Sequence, residues 1–360
     1  MLWLIFTLFV LAFTKLGADC KSKKDRLLFR FLLLLLLSLM AGFGSKAGTD
    51  HDAYVYIYNT YNTFDMLTDI RTMLLSYSIE PGYVLLNILA HILKMSELFF
   101  FVFVSCLMNM AVVFLVFKFE KPVIAMLVFI LTINYLQEIN LVRQSIAISL
   151  FAMSTYFLTL KKYKLHFCLL FLAFTFHSTI IMCLPLSLIG FIDLNKYKRL
   201  IVVLSSFLWV FSLLTYIGII SFYSIGSVIG GFEDTRYESY ANGSHGTGYD
   251  LGFNYMFNLL MFFVICSLYT NVTIYKLYIV LGVFLINLNI DVAMRMALYF
   301  LIFIPISCGQ FLSVKTYSNT PYIANSIKVF KYLFVSYWIL VLFRNYVFGN
   351  PLLGSTFYSL

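Results

Sequence analysis

Long apolar runs recur along the chain and constrain its fold more than any other feature. Residues 27–40 read LLFRFLLLLLLSLM and residues 97–117 read ELFFFVFVSCLMNMAVVFLVF, so both would be apolar on every face of a helix. A helix needs about 20 such residues to cross the hydrocarbon core of a bilayer, whereas barrel strands alternate over about ten. The sequence therefore predicts an all-α, polytopic helical membrane protein.

The remaining composition predicts one membrane domain over residues 1–360. Hydrophobic residues make up 62% of the chain and charged residues 11%, and no nucleotide-binding loop, soluble domain or repeat array interrupts the apolar runs. The first run, residues 2–18, has no basic residues before it and no small-residue cleavage site after it, so we expect a retained span. About 11–12 transmembrane segments are expected in all.

Basic residues indicate the topology, because lysine and arginine accumulate in cytoplasmic loops. The net charge of +9 is scattered through short loops, which is typical of topology signals and does not favour nucleic-acid binding. If the basic clusters lie on the cytoplasmic side of the membrane, both chain termini lie on the outer side. The predicted spans are 2–18, 27–43, 98–117, 122–136, 144–160, 165–176, 178–192, 200–220, 253–270, 277–289, 295–313 and 329–347.

Two stretches leave the topology open. Residues 82–94 are too short to cross comfortably, and they are predicted to form an interfacial or re-entrant helix. Residues 165–192 form either two short helices that meet near His177 or one long tilted span. Two longer connections, residues 44–81 and 221–252, fall on the outer face, and their many tyrosines favour an ordered, ligand-facing surface.

Arginines at the outer ends of separate spans are the strongest site candidates. Arg143, followed by Gln144, begins one apolar run and Arg295 lies in another. A guanidinium at mid-bilayer costs about 2.5–3.5 kcal/mol, so it is rarely kept without a role. Its fork of donors matches phosphate oxygens, which predicts a lipid-linked pyrophosphate as ligand. The alternatives are snorkelling or structural pairing with the nearby Glu138 and Asp291.

Three further residues are candidates for acid–base or sugar-binding work, each with a structural alternative. His177 could equally be a satisfied interhelical histidine. Glu80 precedes Pro81, and its alternative role is simply to cap a helix. The alternative for Asp50 is a place in a solvated turn. The histidines lack metal-ligand spacing, so no metal is expected. Possible loop contacts are Arg71, Arg236 and Glu138.

Five segments in this order resemble the successive signatures of the EpsG family, which groups with the Wzy-type polymerases of bacterial surface polysaccharide. The segments are GTDHDAY at 48–54, EPGYVLL at 80–86, NLVRQSIAISLF at 140–151, FHSTIIMCLP at 176–185 and DVAMRMALYFLIFIP at 291–305. The resemblance spans about residues 44–310, and neither the terminal helices nor the 221–252 loop contributes to it.

The resemblance implies a metal-independent glycosyltransferase without cofactors and with a GT-C-like architecture. Its donor and acceptor would be undecaprenyl-pyrophosphate oligosaccharides at the periplasmic face of the bacterial inner membrane, and its partner a chain-length-regulating co-polymerase. By matching position, Arg143, Gln144 and Arg295 would bind donor pyrophosphate. His177, Glu80 or Asp50 would contact sugar or help to deprotonate the acceptor. The product could be O-antigen, capsule or exopolysaccharide.

Three rival functions remain open from the sequence. A lipid-linked oligosaccharide flippase or other transporter would often show two related halves and charges at mid-membrane, whereas the charges here concentrate at one boundary. An O-antigen ligase would use the same donor but lipid A core as acceptor. A noncatalytic membrane subunit would tolerate the replacement of Arg143.

Overall fold

The computed structural model describes most of the chain. The described residues are 2–44, 50–60, 79–119, 121–131, 141–217, 219, 251–269, 271–288, 291–313, 328–329, 331–337 and 339–340. All regular structure within them is helical, which confirms the all-α prediction. The chain divides into two compact units, residues 1–188 with 345–360 and residues 189–344, and each is described by itself. The expectation of a single domain stays a prediction.

The described part of the first unit is built from eight α-helices that pack against one another. Helix α7 packs along α8, α5 packs against both α2 and α7, and α1 packs on α2 and α6. The helices are α1 (Leu2–Asp19), α2 (Lys23–Gly44), α3 (His51–Thr60), α4 (Pro81–Ile92), α5 (Glu97–Val116), α6 (Pro122–Leu131), α7 (Val142–Thr159) and α8 (Tyr163–Phe176).

Among the described residues, four helical stretches are long and apolar enough to cross a membrane by length and composition, which supports the prediction of a polytopic membrane protein. They are Lys23–Gly44, Glu97–Val116, Leu194–Thr215 and Ala293–Gln310. Several predicted spans correspond to shorter apolar helices, and nearly half of the last one, 329–347, lies outside the described residues. The number of crossings and the inward or outward direction of each stay predictions.

Helix α4 is too short to span a bilayer. Its 12 residues rise about 18 Å at 1.5 Å each, against a hydrocarbon core of about 30 Å. The helix begins directly at Pro81, whose missing N–H is tolerated in a first turn. The predicted shortness is confirmed, while an interfacial or re-entrant position stays a prediction.

Helix α8 ends at an abrupt break. His177 adopts an extended backbone conformation with φ −157° and ψ 117°, and the chain continues as 3-10 turns over Ser178–Cys183 and Pro185–Phe191. Of the two alternatives for residues 165–192, the structure has two segments that meet at His177. The break places the backbone amides of the following turn at the end of α8.

A buried histidine holds the opposite end of α8. His166 shares hydrogen bonds with the Ser154 hydroxyl of α7 at 2.6 Å and, through Nε2, with the Ser187 hydroxyl at 2.9 Å. All three side chains are buried. Because both ring nitrogens have partners, His166 is a satisfied structural histidine that ties α7, α8 and the second 3-10 turn together.

Helix α3 lies within the predicted 44–81 connection and is anchored by its aromatic face. Tyr54 and Tyr58, four residues apart, point to the same side and are buried. The Tyr58 ring stacks on His91 of α4 and on Phe100 of α5, with ring centroids 4.3 and 4.9 Å apart. The Tyr58 hydroxyl donates to the carbonyl of Met95. This packing fixes the position of α3 against α4 and α5.

The second unit packs its helices around α11. Helices α9, α10, α12 and α13 each contact α11. A buried hydrogen bond of 3.1 Å joins the side chains of Asn258 in α10 and Asn287 in α11. The helices are α9 (Lys198–Tyr216), α10 (Leu251–Leu268), α11 (Ile274–Asn287), α12 (Asp291–Leu301) and α13 (Ile304–Ser313).

The predicted span 295–313 is divided between α12 and α13. The division falls just before Pro305, which has no N–H to donate to a preceding turn and disfavours helical geometry at the residue before it. Ala293–Gln310 is nevertheless one stretch long and apolar enough to cross a membrane, so the predicted span contains a two-residue turn at residues 302–303.

A lysine at the start of α11 is almost fully buried. The Lys276 ammonium donates to the carbonyls of Ser267 and Asn271 at 2.9 and 2.8 Å. The Ser267 carbonyl belongs to the last turn of α10 and the Asn271 carbonyl follows that helix, where backbone oxygens lack helical partners. The charge is thus accommodated by the negative end of a helix dipole.

Gly42 provides a test of the packing between α2 and α5. A Cβ at this position would lie 2.6 Å from Cγ2 and 2.8 Å from Cα of Val102, so Gly42→Ala must push the helices apart. We expect a loss of about 1–3 kcal/mol in stability, measured by thermal unfolding of the purified protein in detergent.

The matched control is Gly17→Ala in α1. There the nearest atom is the far edge of the Phe117 ring at 3.1 Å, which can move aside, while alanine gains about 0.5–1 kcal/mol of helix propensity. An equal or larger loss at Gly17 would show that close helix approach is not what Gly42 serves.

Candidate functional site

An ion pair between Glu80 and Arg143 forms the centre of the candidate site. The Arg143 Nη1 lies 2.5 Å from the Glu80 Oε2, and the side chains are 23% and 8% exposed. Arg143 is the second residue of α7, and Glu80 immediately precedes α4. Because charges withdrawn from water must be paired, the ion pair fixes the start of α7 against the start of α4.

The Glu80 carboxylate also reaches the break after α8. Its Oε1 accepts the backbone N–H of Ser178 at 3.5 Å, a long hydrogen bond beside the short one to Arg143. Glu80 occupies the residue before α4, yet its side chain makes no capping hydrogen bond to that helix. The structural alternative that Glu80 only caps a helix is therefore wrong, and the carboxylate instead joins α4, α7 and the 3-10 turn.

A close backbone approach keeps these groups together. A Cβ on Gly82 would lie 2.5 Å from the Oγ1 and 2.8 Å from the carbonyl oxygen of Thr175. Only glycine lets the first turn of α4 approach the last turn of α8 so closely. This contact holds Glu80 within reach of Ser178.

Tyr54 of α3 contacts Arg143 from another element. Its hydroxyl oxygen accepts hydrogen bonds from the Arg143 guanidinium and from the Arg143 backbone N–H. That amide belongs to the first turn of α7, where N–H groups have no helical acceptor. Burial raises the pKa of the Tyr54 phenol, and Arg143 only partly opposes this. The phenol is consequently neutral at physiological pH.

His177 and Asp50 lie beside this group. His177 directly precedes Ser178, is half-buried, and shares a 2.7 Å hydrogen bond between its Nδ1 and the Thr179 hydroxyl. Asp50 precedes α3, and its charge acts on the Tyr54 phenol. The first unit thus brings together Asp50, Glu80, Arg143 and His177, four of the residues predicted from the sequence.

The other predicted residues have different positions. Gln144 follows Arg143 in α7 and its side chain is buried. Arg295 lies in α12 of the second unit and is half-buried, and its participation in a shared site stays a prediction. Three predicted residues lie outside the described part of the chain, namely Arg71, Glu138 and Arg236. The alternative that Arg143 pairs with Glu138 therefore stays a prediction.

The sequence missed Tyr54 as a site residue. Tyrosines are frequent throughout the chain, with 26 in total, so composition alone did not distinguish this one. The signal was its place at the end of the GTDHDAY segment, four residues after Asp50. One helical turn separates the two positions, which puts them on the same side of the chain.

The arrangement offers hydrogen-bond donors to an anion. Within the described part of the chain, the buried Nε–H of Arg143 makes no hydrogen bond, and a buried charged donor without a partner is costly. In the same part of the chain, no group of three or more His, Cys, Asp or Glu side chains could hold a metal ion. The Arg143 guanidinium is thus a group of the described site that can meet negative charge.

A comparison with protein-family models matches residues 27–357 to the model described as EpsG family. The match is wider than the 44–310 resemblance, because it begins within helix α2 and continues past residue 310 to residue 357. Comparisons with curated proteins and with solved structures found no match.

Glu80→Gln tests whether the ion pair supports the fold. A neutral amide leaves the largely buried Arg143 charge uncompensated, so we expect a loss of about 3 kcal/mol, measured by thermal unfolding in detergent. The control is Glu97→Gln, whose carboxylate is 40% exposed and 3.9 Å from His51. That variant should lose less than about 1 kcal/mol, and equal losses in both would contradict the assignment.

Proposed function

The chain belongs to the EpsG family, whose members are Wzy-type polymerases, and on this premise we propose that it extends a surface polysaccharide from lipid-linked repeat units. The donor is a glycan on undecaprenyl pyrophosphate, and the acceptor is a newly flipped repeat unit on the same carrier. The reaction takes place at the periplasmic face of the bacterial inner membrane. The helical membrane fold agrees with a substrate held by a lipid anchor.

The observation that carries the proposal is the Arg143 guanidinium at the start of α7. Arginine stays charged at any relevant pH and presents five N–H donors. One is taken by Glu80 and another by Tyr54, while Nε–H has no partner in the described part of the chain. The side chain is 23% exposed although Nε itself is buried, so an oxygen of a diphosphate could approach the remaining donors on the terminal nitrogens.

The chemistry of glycosyl transfer requires such a cation. The acceptor hydroxyl oxygen forms a bond to the donor anomeric carbon, and the bond from that carbon to the pyrophosphate oxygen breaks. The pyrophosphate leaves with the bonding electrons, so negative charge develops on it in the transition state. Arg143 would stabilise that charge in the role that a metal ion takes in other enzymes.

The acceptor proton must pass to a base. His177 is the first candidate, because histidine ordinarily titrates near physiological pH and a base is most effective there. It directly precedes Ser178, whose amide contacts the carboxylate that holds Arg143. Glu80 is less suited to this role, since its carboxylate is buried and already accepts from Arg143 and Ser178. Asp50 is the second candidate.

Replacing Arg143 tests the pyrophosphate role. Arg143→Ala should lower polymer synthesis by about 100-fold or more, the effect of removing one transition-state donor. Arg143→Lys should restore little, because an ammonium lacks the planar fork. The measurement is the length distribution of glycan made by a deletion strain that carries each variant, with protein abundance in the membrane determined in parallel.

The control is Arg199→Ala, an exposed arginine at the start of α9, which should leave the glycan unchanged. Normal polymer from a strain carrying Arg143→Ala would refute the pyrophosphate role. Purified protein given lipid-linked repeat units should lengthen them without an energy source. If it only moves them between leaflets, or attaches them to lipid A core, the protein is a flippase or a ligase instead.

His177→Asn tests the base. Asparagine can replace the Nδ1 contact with Thr179 but cannot accept the acceptor proton, so we expect a loss of about 100-fold or more in the rate of chain extension. The measurement is extension of purified lipid-linked repeat units by the full-length protein in detergent. A rate within a fewfold of wild type would assign His177 to structure or sugar binding, and Asp50→Asn would then be the next variant.

A further inference from the structure

We propose that Tyr54 is a positioning residue that orients the Arg143 guanidinium for the donor pyrophosphate. The inference rests on the proposed function, because it concerns the same arginine. It adds a residue of α3, an element outside the helices that supply Arg143 and Glu80. Tyr54 would act through Arg143 and would not touch the substrate.

An arginine side chain needs more than one contact to hold its plane. It has several rotatable bonds, and the Glu80 contact engages one terminal nitrogen, Nη1. A single contact leaves the guanidinium able to rotate about that point, whereas recognition of two phosphate oxygens requires a set direction for the fork. Tyr54 supplies a second contact from a different helix.

The chemistry of tyrosine suits this task. Glu80 pairs with Arg143 and cancels much of its charge, but a neutral phenol accepts a hydrogen bond and leaves the charge in place. A second carboxylate at this position would repel the pyrophosphate that Arg143 is proposed to bind. The Tyr54 oxygen also accepts the Arg143 backbone N–H, so it ties the side chain and the first turn of α7 to one point.

Tyr54 is itself firmly placed. Its side chain is buried, and its ring meets the edge of the Tyr83 ring of α4 at a centroid distance of 5.8 Å. One turn further along α3, Tyr58 is held by its two ring stacks and by its hydroxyl bond to Met95. A rigidly packed ring can hold a partner to within the small tolerance that a binding site needs.

The experiment compares Tyr54→Phe with Tyr58→Phe. Both remove one hydroxyl from a buried tyrosine on the same face of α3 and keep the ring. Only Tyr54 contacts Arg143. The probe is inorganic pyrophosphate, whose binding to the full-length protein in detergent is measured by titration. In parallel, kcat and KM are measured with purified lipid-linked repeat units.

We expect Tyr54→Phe to weaken pyrophosphate binding and to lower kcat/KM, each about tenfold, because one hydrogen bond to a charged group is lost. Tyr58→Phe should change both quantities less than twofold. In an Arg143→Lys background, Tyr54→Phe should have no further effect on either quantity, since the residue it positions is gone. A purely structural tyrosine would lower the unfolding temperature in both variants and leave the affinity of the folded protein unchanged.

The outcomes separate this inference from the proposed function. If the wild-type protein and Arg143→Lys bind pyrophosphate equally or not at all, the proposed role of Arg143 fails. If Arg143→Lys loses binding while Tyr54→Phe keeps wild-type affinity and kcat/KM, the role of Arg143 stands and the positioning role of Tyr54 is overturned. Equal losses in Tyr54→Phe and Tyr58→Phe would overturn it as well, because the effect would then come from the docking of α3.

Discussion

The first unit depends on one electrostatic constraint: a largely buried arginine in an apolar protein must be paired. Arg143 meets Glu80 at 2.5 Å, across 63 residues of sequence. Removing one partner of such a pair leaves an uncompensated charge and costs several kcal/mol, whereas surface pairs are worth little. The positions of α4 and α7 follow from this contact, because neither helix can move without separating the charges.

The neighbouring backbone is arranged to serve the same pair. Helix α8 stops at His177, which frees the Ser178 amide to meet the carboxylate of Glu80. The absence of a side chain at Gly82 lets α4 approach the end of α8 near Thr175. The Glu80 carboxylate is thus held by two donors from two elements, Arg143 of α7 and the Ser178 amide of the 3-10 turn. The short helix α4, the break after α8 and the glycine at position 82 together make this possible.

The sequence predicted the parts of the site more successfully than their relations. Arg143, Glu80, His177 and Asp50 were identified from charge in apolar runs and from their motifs, and the structure places them in one unit. Their partners could not be read from spacing. The sequence suggested Glu138 for Arg143 because it is five residues away, whereas the partner described is Glu80. Short sequence separation favours a contact only when the intervening backbone brings the side chains to the same face.

The sequence by itself determined the class of the protein and most of its helices, because apolar runs of a given length have few stable conformations in a membrane. Proline marked the division between α12 and α13, although the sequence prediction overlooked it. Only the tertiary structure decided that Glu80 pairs with Arg143 instead of capping α4, and that Tyr54 contacts the same arginine. The physical reason is that these contacts join residues from helices distant in sequence, and their geometry depends on how those helices pack.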